Sequence, residues 1–106
     1  MAKYLLLYSG GGMPQTEAEQ AEVIKAWTAW YTSLGSAVAD PGNPFSPMAK
    51  HVSSSGKIGD GPKGSMASGY TILQAGSLDE AAKMAQSCPV LAGGADISIF
   101  ETFDVM

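Results

Sequence analysis

The segment Tyr4–Tyr8 is apolar along its whole length, and it constrains the fold more than any other part of the chain. Successive side chains of a strand point to opposite faces, so Leu6 faces the same way as the two tyrosines, and Leu5 and Leu7 face the other way. The helices of a 106-residue chain can cover only one face of a sheet. We therefore expect a second copy of the chain to cover the other face.

The composition fits one domain, residues 1–106, that hides part of its surface against a partner. Hydrophobic residues make up 45% of the chain and charged residues 15%, well below the ~25% charged residues of an average domain. A domain this small buries a limited share of its surface, so dimerisation adds to its stability.

Charge and cysteine usage exclude several classes of protein. The net charge is −4, and the chain has six scattered lysines and no arginine, whereas a nucleic-acid-binding surface needs clustered cations. No apolar stretch approaches the ~18 residues of a membrane span, and the N-terminal apolar run is too short for a secretory signal. Cys88 is the only cysteine, which excludes an internal disulfide. We expect a cytoplasmic protein that binds neither nucleic acid nor membrane.

Local patterns predict two helices, four strands and a hairpin. Two capping boxes, in which a Ser or Thr precedes a Glu by three residues, begin helices at Thr16 and Ser77. The first helix carries an apolar stripe that includes Trp27 and Trp30, and it ends at Gly35. The predicted strands and the predicted hairpin have the following ranges: Tyr4–Tyr8, Ser36–Asp40, Lys50–Ser54 paired with Lys57–Ile58, Gly69–Ala75 and Asp96–Phe103.

The order strand, helix, strand, strand, helix, strand predicts an α+β fold of the ferredoxin-like βαββαβ type. In such a fold every strand is antiparallel to its neighbours, and both helices lie on one face of the sheet. The open face would expose an apolar patch that is rare on a monomer. We expect Leu6 to lie on this open face and Tyr4 and Tyr8 to flank it. Pairing of two open faces would bury the patch and leave a cleft between the sheets.

Several motifs, taken in order, resemble the YCII-related domain family over nearly the whole chain. Each motif is weak alone, and their order and spacing carry the resemblance. They are Lys3–Tyr8, Gly42–Phe45, Gly59–Pro62, Gly69–Leu73, Ser77–Ala81, Cys88-Pro89 and Gly93-Gly94. The resemblance implies a ferredoxin-like domain that dimerises through its sheet, and it implies little about activity. A few relatives are lyase-like enzymes that act on chlorinated aromatic compounds.

The chain departs from the enzyme-like members of that family on its first helix. Those members carry a His on this helix and an Asp about ten residues later, whereas Val23, Ile24 and Ser33 lie near those places here. The catalytic pair therefore cannot be transferred to this chain, and this weakens the case for that chemistry.

The candidate catalytic residues are His51 and Asp40, and the candidate substrate-binding residues are Tyr8 and Asn43. Histidine titrates near neutrality and suits proton transfer, and Asp40 is its candidate partner across the proline-rich loop. We expect these four residues to approach one cleft. A lone histidine is more often structural, Asp and Asn favour turns for local reasons, and interface tyrosines are common.

The remaining features have structural explanations. Gly10–Gly12 lacks the rest of a phosphate-binding motif and predicts a loop. Trp27 and Trp30 are expected in the core, and Cys88 is expected to be an inert buried thiol. One His and one Cys without an acidic cluster predict no metal site, and no cofactor motif is present.

Two functions remain open. The first is a homodimer that binds a small molecule in a cleft at the sheet face. The second is a lyase-like or other enzyme that acts on a small aromatic compound, with Asp40 or His51 moving a proton and Tyr8 orienting the substrate. A third function is that of a purely structural partner of another protein.

Overall fold

The computed structural model describes residues 2–12 and 14–104, which fold into six strands and two α-helices. The helices are α1 (Glu17–Leu34) and α2 (Leu78–Ala85). Short 3-10 helices follow them at Gly35–Ala37 and Pro89–Gly93. The strands are β1 (Ala2–Gly10), β2 (Val38–Asp40), β3 (Lys50–Val52), β4 (Ile58–Asp60), β5 (Ala67–Ala75) and β6 (Ala95–Glu101).

Four of the strands form an antiparallel sheet in the order β2-β5-β1-β6. Strand β1 is central and pairs with both β5 and β6, while β2 pairs with β5 at one edge. Strands β1 and β2 therefore run parallel with β5 between them. This arrangement confirms the ferredoxin-like α+β fold, and the β3–β4 hairpin is an insertion between the second and third strands of the sheet.

The two faces of β1 have different surroundings, and the sequence-based assignment of Leu6 to the open face was wrong. Tyr4, Leu6 and Tyr8 are 2%, 0% and 4% exposed and belong to the core under the helices. The alternation of side chains itself was correct, but the helices cover the face that carries the tyrosines. Leu5 and Leu7 are half-buried and lie on the other side of the sheet.

The open face, defined as the side of the sheet opposite the helices, carries an apolar patch around Leu5 and Leu7. Leu5 lies opposite Ile72 on β5 and Phe100 on β6, and Leu7 lies opposite Tyr70 on β5. Because paired residues share a face, these side chains form one apolar surface. Phe100 is 51% exposed there.

Both helices begin at the predicted capping residues. The hydroxyl of Thr16 accepts a hydrogen bond from the backbone N–H of Glu19 at 3.0 Å, and that of Ser77 accepts one from Glu80 at 3.1 Å. The Glu80 carboxylate in turn accepts the N–H of Gly76 at 3.1 Å. Each box thus satisfies two donors at the start of its helix.

Helix α1 is buried mainly along its second half. Trp30 is 4% exposed, and its indole Nε1 donates to the carbonyl oxygen of Met84 at 3.2 Å, which links α1 to α2. Trp27 is half-buried, and its ring contacts those of Tyr8, Trp30 and Tyr31 at centroid distances of 5.6–5.8 Å.

The first half of the α1 stripe does not enter the core. Val23 is 40% exposed and Ile24 is 65% exposed. The apolar stripe therefore overestimates how much of the helix packs on the sheet.

Residues 48–66 consist of the β3–β4 hairpin and the residues that flank it, and we call this segment the arm. In the hairpin Lys50 lies opposite Asp60, and Val52 lies opposite Ile58. Strand β4 therefore ends at Asp60, two residues beyond its predicted end at Ile58. The extensive contacts of these strands are with each other. Because an isolated two-stranded hairpin is marginally stable in water, the arm is weakly supported by its own chain.

We expect Trp30→Ala to lower the free energy of unfolding by about 3–5 kcal/mol, because it removes a buried aromatic ring and two hydrogen bonds. The half-buried Trp27→Ala should cost less than Trp30→Ala. Urea denaturation of both variants checks this order, with Ile24→Ala as an exposed control from the same helix. A cost for Trp30→Ala as small as that of Ile24→Ala would contradict the described packing of α1.

Candidate functional site

The sheet brings Tyr8 and Asp40 to the same end, as the parallel course of β1 and β2 predicts, but the two side chains have separate partners. Tyr8 is buried on the helix side, where its hydroxyl donates to Thr71 Oγ1 at 2.6 Å. The carboxylate of Asp40 instead accepts a hydrogen bond from the hydroxyl of Tyr70 at 3.3 Å. Tyr70 lies beside Leu7 on the open face.

A chain of hydroxyl groups joins Tyr8 to the loop after β2. Thr71 Oγ1 donates to the carbonyl oxygen of Pro41 at 3.0 Å, and the hydroxyl of Tyr31 donates to the same oxygen at 3.1 Å. The thiol of Cys88 lies 3.7 Å from the Tyr8 hydroxyl, as a donor to it. In the described part of the chain, no buried side-chain nitrogen or oxygen lacks a partner.

Burial keeps these groups neutral. It raises the pKa of Tyr8 well above the ordinary value of 10.0, against the lowering effect of the Thr71 hydrogen bond. Burial likewise raises the pKa of Tyr31 and that of the Cys88 thiol. The cluster therefore holds the Pro41 carbonyl in place and is not a source of a nucleophile near neutral pH.

The fixed Pro41 carbonyl shapes a tight turn around Asp40. The other carboxylate oxygen of Asp40 accepts the backbone N–H of Gly42 at 2.8 Å. Gly42 has φ +73°, and a Cβ atom at this position would collide with the backbone carbonyl of Tyr70. Glycine is required here by both the positive φ and the close approach.

Asp40, Tyr70 and Phe45 form the candidate functional site, at the end of the apolar open face. The Phe45 ring stacks on Tyr70 with centroids 5.9 Å apart and an interplanar angle of 27°. The carbonyl oxygen of Asn43 accepts the Tyr70 N–H at 3.3 Å, and the Asn43 residue is exposed. The arrangement offers a carboxylate, a phenol and an aromatic surface to a small molecule.

His51 lies in the arm and has its hydrogen bond there. Its Nδ1 is 3.0 Å from the carbonyl oxygen of Gly61, and its ring covers the backbone of Gly59. Within residues 2–12 and 14–104, no hydrogen bond or ion pair joins His51 to Asp40 or Tyr8. The expected meeting of all four candidate residues in one cleft stays a prediction.

Tyr70 and Phe45 were not predicted as partners of Asp40. The sequence contained one indication for Tyr70: side chains alternate along β5, so Tyr70 lies on the same face as Ile72. Nothing in the sequence indicates the register that brings this face against Leu7. Phe45 was included only as part of a loop motif, and its stacking depends on the bridge between Pro44 and Gly69.

Two recesses lie elsewhere on the surface of the described residues. One recess lies between α2 and β6, beside Ala85 and Ile99, and another lies at the opposite end of β1, beside Lys3 and Glu101. Neither recess includes Asp40 or Tyr70. No helix among the described residues is long and apolar enough to cross a membrane. The same residues contain no group of three or more His, Cys, Asp or Glu side chains that could hold a metal ion.

Comparison with known proteins supports the fold. The chain matches no protein-family model, and it matches no curated protein sequence. It is similar in structure to TftG, a 5-chloro-2-hydroxyhydroquinone dehydrochlorinase from Burkholderia phenoliruptrix AC1100 in complex with 2,5-dihydroxybenzoquinone. The TM-score is 0.55 at 16% sequence identity, and the match covers 95% of this chain and 93% of that chain. At this identity the likeness shows the fold alone, an α+β fold of the ferredoxin-like type.

We expect Gly42→Ala to destabilise the protein by clearly more than Gly56→Ala, which is the matched control. Both glycines have a positive φ, which costs an alanine about 1–2 kcal/mol, but a Cβ at Gly56 has no neighbour within 4 Å. Chemical denaturation of the two variants measures the difference. Equal costs would show that the turn does not press against β5.

Proposed function

We propose that the chain is a homodimer that pairs through the open faces of its sheets and binds a small aromatic molecule beside Asp40 and Tyr70. The observation that carries this proposal is the carboxylate–phenol hydrogen bond at the end of an uncovered apolar surface. A single sheet leaves this surface half-exposed. A second sheet against it would turn the end of the face into a cleft.

The exposed area supports the dimer. The chain exposes 7394 Å², whereas a compact monomer of this mass exposes about 5,600 Å². The radius of gyration is 15.2 Å, above the ~13 Å expected for a compact domain of about this length. The excess, about 1,800 Å² per chain, is of the size that one subunit buries in an obligate dimer.

The groups at the site suit a ligand with an aromatic ring and hydroxyl groups. The Phe45 and Tyr70 rings supply an apolar surface for a ring, and aromatic pairs of this kind are worth about 0.5–1.5 kcal/mol beyond their buried area. The Asp40 carboxylate accepts hydrogen bonds from hydroxyl groups, and charge-assisted bonds of this type are strong. The amide of Asn43 is proposed as a further ligand contact.

Tyr8 is proposed to contribute indirectly. Its hydroxyl acts through Thr71 on the Pro41 carbonyl, and this sets the turn that carries Asp40. It is therefore a positioning residue in this proposal, while the contacts to the ligand come from residues on the other side of the sheet.

An enzyme that acts on a small aromatic compound is the second candidate function. The likeness in fold to a dehydrochlorinase of a chlorinated hydroquinone favours this class of substrate. In this reading Asp40 accepts the proton of a substrate hydroxyl, and His51 of the arm serves as the other acid–base group. Net loss of HCl from such a compound removes a proton from each of two hydroxyl groups, delivers one proton to the ring carbon that carries chlorine, and releases chloride from that carbon. The reaction therefore requires a group that accepts a proton and a group that donates one.

Hydroquinone is a suitable binding probe, and we expect it to bind to the wild-type protein. Asp40→Asn should weaken binding by about tenfold, because a charged acceptor is lost. Tyr70→Phe should weaken binding less. Isothermal titration calorimetry measures these affinities. Tyr4→Phe is the control for Tyr70→Phe, because it also removes a phenol hydroxyl but does so on the helix side of the sheet. Unchanged affinity in Asp40→Asn would contradict the proposed site.

Chloride release from 5-chloro-2-hydroxyhydroquinone separates the two candidate functions. The binding function predicts affinity without turnover. The enzyme predicts chloride release that Asp40→Asn abolishes while Tyr4→Phe retains it.

We expect Leu7→Asp to give a folded monomer, because it places a charge on the open face that solvent can reach only when the sheets separate. Leu6→Asp should instead unfold the protein, because Leu6 is 0% exposed under the helices. Sedimentation equilibrium at micromolar concentration and circular dichroism distinguish these outcomes. A wild-type monomer, or a Leu7→Asp dimer as tight as the wild type, would contradict pairing through the open faces.

A further inference from the structure

The arm, residues 48–66, presents apolar side chains that its own chain does not cover. Val52 and Ile58 form a cross-strand pair, and each is 65% exposed. Met48 is 85% exposed and Met66 is 49% exposed. The molecule measures 44 × 39 × 18 Å, and the extensive contacts of the arm's strands are with each other. Such an arm gains stability mainly from contacts with another surface.

The arm also differs from the rest of the chain in charge. The arm contains three of the six lysines: Lys50, Lys57 and Lys63. It contains one of the ten acidic residues, Asp60. The formal charge of the arm is therefore +2. The rest of the chain carries −6, and the two parts sum to the net charge of −4. Lys50 pairs with Asp60 at 2.8 Å, while Lys57 and Lys63 are exposed near the tip and the base of the arm.

The β6 edge of the sheet has the complementary properties. Asp96 and Glu101 are exposed on this strand, and Phe100 is 51% exposed. Asp96 and Phe100 lie on the open side of β6, whereas Glu101, opposite Tyr4, lies on the helix side, so the edge can be reached from both faces. No lysine occurs after Lys83. Strand β6 is at the edge of the sheet, so one side of its backbone is unpaired. It therefore offers acidic and apolar groups along an uncovered edge.

Symmetry connects these two surfaces. Two sheets that pair face to face are related by a two-fold axis lying between them. An axis parallel to the strands places the β2 edge of one copy, where the arm begins, over the β6 edge of the other. An axis across the strands would bring the two β2 edges together, and the two positive arms would then repel each other.

We propose that the arm of each copy docks along the β6 edge of a second copy and clasps the dimer. The proposal rests on the proposed pairing of the open faces. In it, Val52 and Ile58 cover the apolar part of the edge, and Lys57 and Lys63 lie against Asp96 and Glu101. The partner is thus a second copy of this chain, and the arm adds a contact outside the open face.

Ile58→Ser tests the apolar part of this contact. We expect it to weaken the dimer by at least about tenfold, as loss of a well-buried interface side chain does. The matched control is Ile24→Ser, because Ile24 is also 65% exposed but lies on the helix side of the sheet. Sedimentation equilibrium gives the dissociation constants. An Ile58→Ser dimer as tight as the Ile24→Ser dimer would overturn the proposal.

A charge exchange tests the polar part and does not depend on the stability of the isolated arm. We expect Lys57→Glu combined with Lys63→Glu to weaken the dimer at low salt, and Lys25→Glu on α1 to leave it unchanged. Adding Asp96→Lys and Glu101→Lys to the arm variant should restore most of the affinity. Weakening without restoration would overturn docking on β6.

The outcomes separate this proposal from the proposed function. A monomeric wild-type protein would remove both the open-face dimer and the clasp. A dimer that Leu7→Asp dissociates but that the arm variants leave intact would remove the clasp alone.

Discussion

The hydrogen bond from Tyr8 to Thr71 connects more parts of this molecule than any other interaction described above. It joins β1 to β5 at a donor–acceptor distance of 2.6 Å, and the Tyr8 ring packs edge-on against Trp27 of α1. The hydroxyl of Thr71 in turn donates a hydrogen bond to the Pro41 carbonyl oxygen, and this bond fixes the turn after β2. Because the bond is buried and both partners stay neutral, it holds the loop at low electrostatic cost. The geometry of the candidate site depends on this turn.

The sheet separates the packed core on one face from the proposed binding and pairing surface on the other. The helix side contains the buried aromatic and aliphatic side chains that stabilise the domain. The open face contributes little to the stability of one chain but carries Asp40, Tyr70 and the apolar patch. A substitution on the open face can therefore change assembly or binding while the fold persists, and a substitution on the helix side acts through the fold.

Much of the fold could be predicted from local patterns. The capping boxes at Thr16 and Ser77 locate both helices, and the order of elements gives the ferredoxin-like topology. The error over Leu6 has a physical cause, because alternation along a strand separates two faces but does not say which one the helices cover. Only the contacts of Trp30 and its neighbours decide that. The true ends of β4 depended on pairing across the hairpin, which strand propensity does not encode.

The candidate site was less accessible to sequence reasoning. Asp40 was identified because it ends a strand before a proline-rich loop. Its phenolic partner Tyr70 lies thirty residues further on, and the contact arises from a register shift between β2 and β5. His51 was proposed as the partner of Asp40 because only a short loop separates Asp40 from the hairpin that contains His51. In the structure the histidine bonds within its own arm, and its approach to Asp40 stays a prediction.

The central position of β1 also has a consequence for how the chain reaches its native state. Leu6 pairs with Thr71 on one side and with Ile99 on the other, so both partners of this strand are synthesised long after it. Contacts so distant in sequence close large loops and make folding slow. Until β5 and β6 are complete, a segment that is apolar on both faces has no native partner. During synthesis we expect this segment to be prone to aggregation and to favour binding by a chaperone.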